Sequence, residues 1–300
     1  MKVFITGGSG FIGSHVVTKL FARKHKLLLL SRRPPRNYRR KFRGVAFIKG
    51  DLENIRVWAK KIKRFKPSAV IHFAWEGLES YDFSAKTSSR NLINSLSLIS
   101  LAASLKCKKF LSIGSSWEYG KTWGKLKESD SLGSSGHVPN FTIAKKTIQL
   151  LGEQIAHESG MQFFWPRLFF AYGPGQKSRA LIPSLVRSFQ SGVAPDIKNK
   201  TGGNDFVYVE DVADAIVKIL ERCKKPSAIY NIGSGRLTSV ARVASLVAKN
   251  FNHPPLLKEP KKPRGFYANI SKIKRGFDWS PKTTIAEGVR KTIEYYRKNG

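Results

Sequence analysis

A glycine-rich turn near the start of the chain restricts the fold more than any other feature. The stretch FITGGSGFIGSHVV, residues 4–17, places Gly7, Gly10 and Gly13 in a G-x-x-G-x-x-G spacing between an apolar run and a helical pattern. A pyrophosphate reaches the bare backbone N–H groups at a helix N-terminus only where no side chain blocks its approach. Because the spacing falls at the first strand-to-helix turn, it predicts a dinucleotide site.

Short β-rich runs alternate with helical patterns through the first 170 residues. Several of the runs are continuously apolar, as strands buried on both faces of a sheet are. The alternation predicts an α/β fold, a Rossmann-type doubly wound parallel sheet. The predicted strands are 2–6, 26–31, 45–50, 69–74, 109–115 and 162–170, and the predicted helices lie near 13–24, 54–65, 86–105 and 141–158.

The pattern becomes less regular after residue 170. The AYGPGQ stretch is predicted to be a loop because of its glycines and proline. Later patterns predict a helix at 178–191, a strand edge and helix at 207–223, a strand and turn at 228–235, and a helix at 284–298. We therefore predict a dinucleotide-binding domain over 1–170, to which 204–235 returns, and a smaller interleaved C-terminal substrate lobe formed by 171–203 and 236–300.

The charge of the chain is unusual, with 54 Lys and Arg against 20 Asp and Glu and a formal net charge of +34. Two interpretations remain open. The charge is either a solvated surface with a general basic bias, or the footprint of a nucleic-acid or anionic-membrane partner. The basic runs are scattered along the chain, which favours the first interpretation over a nucleic-acid partner.

Other global features point to an ordinary cytoplasmic protein. No run of about 18 apolar residues is present, and the first residues do not resemble a secretory leader, so we predict no membrane partner. Cys107 and Cys223 are the two cysteines and form no metal-binding pattern. We therefore expect free thiols and no metal site.

The end of the second predicted strand indicates which dinucleotide is bound. An acidic residue there favours NAD, whereas a basic one pairs with the 2′-phosphate of NADP. The strand ends in LLSRRPPR, so Ser31, Arg32 and Arg33 stand where a carboxylate would select NAD. The sequence predicts NADP, with NAD as the weaker candidate. Asp51 and Leu52, in GDL after the third strand, are predicted near the adenine.

Six blocks in order resemble the extended short-chain dehydrogenase/reductase family, which includes nucleotide-sugar epimerases, dehydratases and reductases. They are TGGSGFIG 6–13, IHFAWEGL 71–78, GSSWEYG 114–120, RLFFAYGPGQ 167–176, NDFVYVEDVADAI 204–216 and YNIGSG 230–235. The resemblance implies that Phe11 and Ile12 join the glycines at the cofactor, together with Ala74 and Asn91. It also implies a homodimer formed through two helices.

The family's chemistry requires a serine or threonine, a tyrosine and a lysine. Ser115 matches the first, which hydrogen-bonds the substrate oxygen. Lys145 matches the third, which holds the nicotinamide ribose and lowers the pKa of the tyrosine. Phe141 occupies the tyrosine position, one helical turn before Lys145 on the same helix face.

Phenylalanine keeps the aromatic ring and lacks the hydroxyl that gives or takes the proton. Loss of a general acid typically costs about 10²–10⁴-fold in rate. Two explanations remain open: Phe141 is an engineered change that traps a ligand, or it is natural in a member that has other chemistry or none. Tyr119 and Tyr172 are predicted to be structural or substrate-lining rather than replacement acids.

The block around Ser115 bears on the reaction type. Dehydratases of the family carry Asp and Glu directly after the catalytic threonine, whereas Ser116 and Trp117 follow here. The resemblance is strongest to NADPH-dependent reductases of 4-keto-6-deoxy nucleotide sugars, with the substrate contacted by Ser116 and Trp117. The arginines predicted at the substrate diphosphate are Arg179 and Arg264.

Three alternatives stay open beside the reductase. One is a sugar-nucleotide epimerase of the same family, although Phe170 stands where epimerases often have asparagine. Another is a non-catalytic RNA-binding protein on the same scaffold, for which the positive charge is suited. The third is a redox sensor that binds NADP without turnover.

The later blocks depart from the family pattern at three positions. Asn204, Phe266 and Asn269 replace charged residues there.

Overall fold

We describe the protein from a computed structural model, which covers residues 1–33, 38, 42–78, 80–133 and 138–299. Much of the basic run 32–43 lies outside the described residues. The strands are β1 (Lys2–Thr6), β2 (Lys26–Ser31), β3 (Ala46–Lys49), β4 (Ala69–His72), β5 (Lys109–Ser112), β6 (Gly114–Ser115), β7 (Gly124–Leu126), β8 (Gln162–Leu168), β9 (Phe170–Tyr172), β10 (Gly203–Asn204), β11 (Phe206–Tyr208), β12 (Ser227–Ile232), β13 (Thr238–Ser239) and β14 (Phe266–Ala268). Among the described residues the helices are α1 (Phe11–Ala22), α2 (Ile55–Phe65), α3 (Ala85–Ser104), α4 (Pro139–Glu158), α5 (Leu181–Gln190), α6 (Val209–Arg222), α7 (Val240–Lys249), α8 (Ser271–Phe277) and α9 (Ile285–Asn299), with a 3₁₀ turn at Ser116–Glu118.

The main sheet follows the strand order β3-β2-β1-β4-β5-β8-β12, and the short β6 also pairs with β8. The pairs β1–β2, β1–β4, β2–β3, β4–β5 and β5–β8 are parallel. The strand order reverses direction between β1 and β4, which is the switch point of a doubly wound sheet. The predicted α/β fold with a Rossmann-type sheet is confirmed.

The central strands are buried on both faces. Consecutive side chains of a strand point to opposite faces, and Val3, Phe4 and Ile5 are all 0% exposed, so helices cover both sides of β1. On one face Phe4 packs against Trp58 of α2, with ring centroids 5.8 Å apart. Each such buried side chain stabilises the fold by about 1.5–3 kcal/mol.

The chain divides into two compact units. Unit 1 comprises Met1–Gly120, Ser131–Arg167 and Ala213–Tyr230, and unit 2 comprises Lys121–Asp130, Leu168–Val212 and Asn231–Gly300. This division differs from the predicted domain boundaries because unit 2 also contains 121–130, 168–170, 204–212 and 231–235. Strand pairing is the reason: β7 pairs with β14 and β11 pairs with β9, all within unit 2.

Unit 2 has its own apolar core. Its helices α5, α7 and α9 bury side chains such as Val186, Val243 and Val289, each 0% exposed. The carboxylate of Asp205 binds the backbone N–H groups of Ser234, Gly235 and Ala268. Asp205 is itself 0% exposed, so this carboxylate joins three segments of unit 2 that are distant in sequence.

Two helices of unit 2 were not predicted, α7 and α8. Helix α7 begins after Ser239, whose hydroxyl accepts a hydrogen bond from the backbone N–H of Arg242 at 3.0 Å. The serine cap and the apolar spacing that follows it were the available indications. The predicted strand 162–170 is interrupted at Phe169, since the chain leaves the main sheet there and β9 pairs with β11.

Cys107 and Cys223 are buried free thiols. Among the helices of the described residues, none combines the length and hydrophobicity that crossing a bilayer requires.

Candidate active site

The glycine loop, residues 7–13, follows the carboxyl end of β1 and leads into α1. Gly7 has φ +67, and a Cβ atom built on it would lie 2.6 Å from the backbone N of Ala74. A Cβ on Gly13 would lie 2.2 Å from the carbonyl oxygen of Gly7. The loop therefore admits no side chain at either position, which leaves the N-terminal N–H groups of α1 open to an anion.

A buried hydrogen-bond chain fixes the strand ends below the glycine loop. Thr6 Oγ1 lies 2.6 Å from His72 Nδ1, His72 Nε2 lies 2.9 Å from Ser95 Oγ, and Ser95 Oγ donates to the carbonyl oxygen of Asn91 at 2.6 Å. Because Ser95 uses its proton on Asn91, His72 donates through Nε2 and accepts from Thr6 through Nδ1. Burial, reinforced by the charge of Lys145, lowers the pKa of His72 to about 3, so the ring is neutral.

The loop after β4, residues 73–78, is held by helix α3. Asn91 is buried, and its side-chain oxygen accepts from the backbone N–H of Glu76 while its amide donates to the carbonyl of Glu76 at 3.0 Å. Arg90 also donates to the Glu76 carboxylate at 2.9 Å. Asn91 thus positions the loop that carries Ala74 against the glycine loop.

The adenine-side candidates lie at the ends of β2 and β3. Ser31 is buried, whereas Arg32 and Arg33 are exposed at the end of β2. Asp51 accepts hydrogen bonds from the backbone and side chain of Asn54, at 3.0 and 3.1 Å, and Leu52 beside it is half-buried. Residues 31–33 at the end of β2 contain no carboxylate, so a phosphate bound there would lie near the guanidinium groups of Arg32 and Arg33.

The serine loop, residues 113–119, follows β5 and carries Ser115. Ser115 Oγ accepts a hydrogen bond from the backbone N–H of Trp117 at 3.2 Å, and the Ser115 N–H donates to Glu118 Oε1 at 2.6 Å. This reciprocal capping box fixes the backbone on both sides of the hydroxyl. Ser116 is buried within the 3₁₀ turn.

A buried ion pair supports the serine loop from beneath. Glu118 is 0% exposed, and its carboxylate accepts from Trp165 Nε1 at 3.0 Å and from Arg167 Nε at 3.0 Å. Arg167 is 1% exposed and donates also to the side chain of Gln149 at 3.0 Å. A buried charge is tolerated only with such partners. The Glu118–Arg167 ion pair therefore holds the serine loop in place and is not available to a ligand.

Lys145 lies on α4 and is 8% exposed. Its ammonium donates to the carbonyl oxygen of Ile113 at 2.7 Å and lies 3.9 Å from the ring centroid of Trp75. Burial lowers the pKa of Lys145 to about 7, against the opposing effect of the Glu118 charge. The structure therefore brings Lys145 to the first residue of the serine loop.

Phe141 packs inside a group of rings that we name the aromatic cluster: Trp75, Phe83, Trp117 and Phe141. The Phe141 centroid lies 5.2 Å from that of Trp75, 5.4 Å from that of Phe83 and 6.2 Å from that of Trp117, all edge-to-face. Phe141 is 7% exposed, and Lys145 Nζ lies 5.7 Å from its centroid. The tyrosine position is thus occupied by a well-packed apolar ring.

Four residues of this site were not singled out from the sequence: Trp75, Phe83, Glu118 and Arg167. Trp75, Glu118 and Arg167 stood within quoted motif blocks, but no pattern showed that their side chains turn inward. Arg167 contacts Glu118 from 49 positions along the chain, and Phe83 lies outside every block. Only the spatial arrangement of strands and helices identifies them.

The predicted substrate residues of unit 2 lie on its surface. Arg179 and Arg264 are exposed, and the backbone of Arg264 bonds to Thr201 and Gly203. Phe170 and Phe266 pack together with centroids 6.5 Å apart. Two positions that are polar in the family therefore form part of one apolar patch in unit 2.

The two other phenols are buried. Tyr119 is 3% exposed, with its ring 4.8 Å from the Arg167 guanidinium, and Tyr172 is 2% exposed. Burial raises the pKa of Tyr172 well above its ordinary value. Tyr172 is therefore a weak proton donor at neutral pH.

Comparison with known proteins agrees with this geometry. The model of the NAD dependent epimerase/dehydratase family matches residues 3–233. The CapI protein of Staphylococcus aureus is 23% identical over 99% of this chain and 98% of its own length. Human dTDP-D-glucose 4,6-dehydratase is 26% identical over 99% of this chain and 90% of its own length.

A solved structure of MoeE5 in complex with UDP-glucose and NAD superimposes with a TM-score of 0.86, at 25% identity, over 100% of this chain and 99% of that one. The extended family and enzyme lineage indicated by the motifs are thereby confirmed. The chain belongs to the NAD-dependent epimerase/dehydratase family.

Proposed function

We propose that the protein binds NADP(H) and a 4-keto-6-deoxy nucleotide sugar, and that its active site is that of a C4 reductase impaired by Phe141. One observation carries the proposal: Ser115 and Lys145 are held at one loop by specific hydrogen bonds, while Phe141, the ring at the position of the family's proton donor, has no oxygen. The family membership supports a nucleotide sugar as the ligand.

The cofactor, when bound, would supply the hydride that adds to the keto carbon. Gly7, Gly10 and Gly13 would hold its pyrophosphate, because the loop leaves backbone N–H groups uncovered. Ser115 would orient the substrate oxygen, since its hydroxyl accepts from Trp117 and makes no donor bond among the described residues. Lys145 would hold the nicotinamide ribose and place a cation beside the developing alkoxide.

The preference for NADP rests on the end of β2. Arg32 and Arg33 are exposed there, and guanidinium groups bind phosphate in a bidentate manner. MoeE5 and other solved relatives were determined with NAD, so the basic end of β2 is what supports NADP in this chain. Asp51, Leu52, Ala74 and Asn91 remain predictions as cofactor contacts.

The aromatic cluster surrounds Phe141 with three edge-to-face rings, so an apolar ring is well packed at the tyrosine position. An epimerase of the same family is the second candidate, supported by relatives such as the dTDP-L-rhamnose 4-epimerase of Burkholderia thailandensis. Phe170 in its apolar patch counts against the epimerase.

A homodimer and a cytoplasmic location remain predictions. Exposed apolar side chains on the neighbouring helices α3 and α4 support self-association. These are Ile93 at 62%, Ile143 at 51%, Leu150 at 59% and Leu151 at 47% exposure. Arg179, Arg264, Ser116 and Trp117 stay predicted substrate contacts.

Substitution of Phe141 by tyrosine tests the proposal. The native protein and its Phe141→Tyr variant would be assayed with UDP- and dTDP-linked 4-keto-6-deoxy sugars, using NADPH and NADH in parallel. We expect the variant to gain about 10²–10⁴-fold in turnover with NADPH, because the general acid returns beside Lys145. The measurement is the loss of NADPH absorbance.

The matched control is Phe83→Tyr, which adds the same hydroxyl to another ring of the aromatic cluster. It should leave turnover unchanged, since Phe83 does not occupy the tyrosine position. If Phe141→Tyr binds NADPH but reduces none of these substrates, the reductase assignment is wrong. A faster reaction with NADH would overturn the cofactor preference alone.

A further inference from the structure

The edge of the main sheet where the parallel strands begin collects positive charge. Lys2 of β1 stands directly beside Lys26 of β2 in the register, and Lys109 of β5 stands beside Ala69 of β4. Strands of a parallel sheet all begin at the same edge, so lysines from distant parts of unit 1 become neighbours there. This edge is opposite the one that carries the glycine and serine loops.

The helices of unit 1 that precede these strands contribute lysines to the same edge. Lys24, Lys66 and Lys106 follow the ends of α1, α2 and α3, with φ of 59, 52 and 54. That left-handed conformation normally favours glycine or asparagine at a helix end. A lysine therefore replaces the conformationally preferred residue at the ends of three helices.

We name this surface the lysine edge and define it by nine lysines of unit 1. Among the described residues, none of the nine forms a salt bridge, and the carboxylate of Glu221 at this edge is paired with Arg23 and His25. All are exposed except the half-buried Lys109, which donates to the carbonyl of Leu220 at 2.8 Å. The nine are Lys2, Lys24, Lys26, Lys66, Lys106, Lys108, Lys109, Lys224 and Lys225.

Helix dipoles do not account for this charge. Helices α1, α2, α3, α4 and α6 end at this edge, and each C-terminus carries about −0.5 of an elementary charge, so together they supply about −2.5. Nine ammonium groups exceed this severalfold. Adjacent like charges repel, as Lys2 and Lys26 do across β1 and β2, so the arrangement favours an anionic partner.

We propose that the lysine edge binds a nucleic-acid double helix through its backbone phosphates, without reading its sequence. From β2 to β12 the edge spans five strand spacings of about 4.8 Å, or about 24 Å. A duplex carries one charge per about 1.7 Å of its axis, so a duplex segment of this length carries about 14 phosphate charges. A linear row of lysines matches a linear polyanion.

The composition of the edge distinguishes a duplex from other polyanions. Binding of single strands uses aromatic rings as stacking platforms, and binding to a bilayer surface uses apolar side chains that insert. The segments that form the edge, 1–2, 23–26, 63–68, 105–109, 158–162 and 222–227, contain no exposed aromatic side chain, and Met1 is their exposed large apolar one. A duplex, whose bases are already stacked, requires neither feature.

The test uses the full chain with Lys24, Lys66 and Lys106 all replaced by glycine. Glycine adopts positive φ without strain, so this variant loses three charges while its helix ends remain well formed. The matched control replaces the exposed Lys258, Lys261 and Lys262 of unit 2 by glutamine, which gives the same net charge. Thermal unfolding would verify that both variants fold.

Affinity for a mixed-sequence DNA duplex of about 20 base pairs would be measured by fluorescence anisotropy from about 50 to about 200 mM salt. We expect the native protein to bind with a steep negative log–log salt dependence. The glycine triple variant should lose about 10-fold or more and flatten the slope by about 2–3, whereas the control should change by less than about 3-fold.

Three results would overturn the proposal. Equal losses in the two triple variants would attribute binding to overall charge rather than to the lysine edge. Absence of duplex binding at about 100 mM salt would rule out a nucleic-acid duplex as the ligand of the lysine edge. Stronger retention on phosphatidylserine vesicles or on a single strand of equal length than on the duplex would assign the edge to another polyanion.

Discussion

The glycine loop and the serine loop lie at the same edge of one sheet but are built by opposite means. The glycine loop is shaped by the absence of side chains, since a Cβ on Gly13 would lie 2.2 Å from the Gly7 carbonyl. The serine loop is shaped by buried side chains, above all Glu118 and its partners Trp165 and Arg167. One loop leaves space for a ligand, and the other is held by the protein's own charges.

The difference separates the part of the site that the proposed function requires for binding from the part that it requires for turnover. Every constraint on the glycine loop is steric and remains satisfied. Around the serine loop the supporting ion pair and Lys145 are in place, while Phe141 stands at the position of the family's proton donor. A site of this kind should bind its ligands far better than it turns them over.

The largest effect is expected from Gly13→Val, which places a branched side chain against the Gly7 carbonyl. We expect dinucleotide affinity to fall by at least about 10³-fold, equivalent to about 4 kcal/mol, because the backbone must move from its pyrophosphate-binding position. Titration calorimetry with NADPH measures it.

The control is Gly276→Ala, because nothing lies within 4 Å of a Cβ at that helical glycine. It should leave NADPH affinity unchanged and stabilise the fold by about 0.5–1 kcal/mol. Native affinity in Gly13→Val would contradict the assignment of the glycine loop to the cofactor.

An effect of similar size, on stability rather than on affinity, is expected when the serine loop loses its buried cation. Arg167→Met leaves the Glu118 carboxylate without its charged partner, which should lower the free energy of unfolding by about 3–5 kcal/mol. Urea denaturation measures the loss. Adding Glu118→Gln to this variant should recover part of it, and a strictly additive double variant would show that the two side chains do not depend on each other.

Lys145 should make stability depend on pH. Its pKa is about 7 in the folded protein against 10.5 for an ordinary lysine, so between these values the unfolded state binds the extra proton. Stability therefore rises with pH in this window, by about 2–3 kcal/mol from about pH 7 to about pH 9, as the unfolded state holds more protons there. In Lys145→Met this contribution should disappear.

The measurement is the difference between native and Lys145→Met unfolding free energies at each pH, since the other lysines contribute equally to both. Below about pH 7 the lysine is protonated in both states, so the difference should be constant. Parallel curves from about pH 7 to about pH 9 would mean that Lys145 is not held as a buried amine.

The smallest effects are expected from removing one hydrogen bond at the serine loop and one at the predicted adenine side of the site. Trp165→Phe removes a donor to the Glu118 carboxylate, and Trp58→Phe removes a donor to the carbonyl of Asp51. The first should cost about 1.5–2 kcal/mol and the second about 1 kcal/mol, because bonds to a charged acceptor are stronger. Thermal unfolding of both variants measures the order, and the reverse order would count against Glu118 as the anchor of the serine loop.

Much of the fold and part of the site could be predicted from local sequence. The spacing of Gly7, Gly10 and Gly13 predicts a turn without side chains, because that spacing is what the close approach of a pyrophosphate requires. The positions of Phe141 and Lys145 on one face of α4 follow from helical periodicity, and the main-sheet strands follow from apolar runs. Helices α7 and α8 were not predicted, because their hydrophobic patterns are short and amphipathic.

The sequence by itself determined the sheet, the bare glycine turn and the apolar ring at Phe141, since each depends on residues close together in the chain. Tertiary structure alone decided what surrounds them. It brought Phe83 and Trp75 onto Phe141, joined Glu118 to Arg167, and gathered scattered lysines at one edge. The physical reason is that parallel strands align their beginnings and their ends, so residues far apart in sequence share one surface.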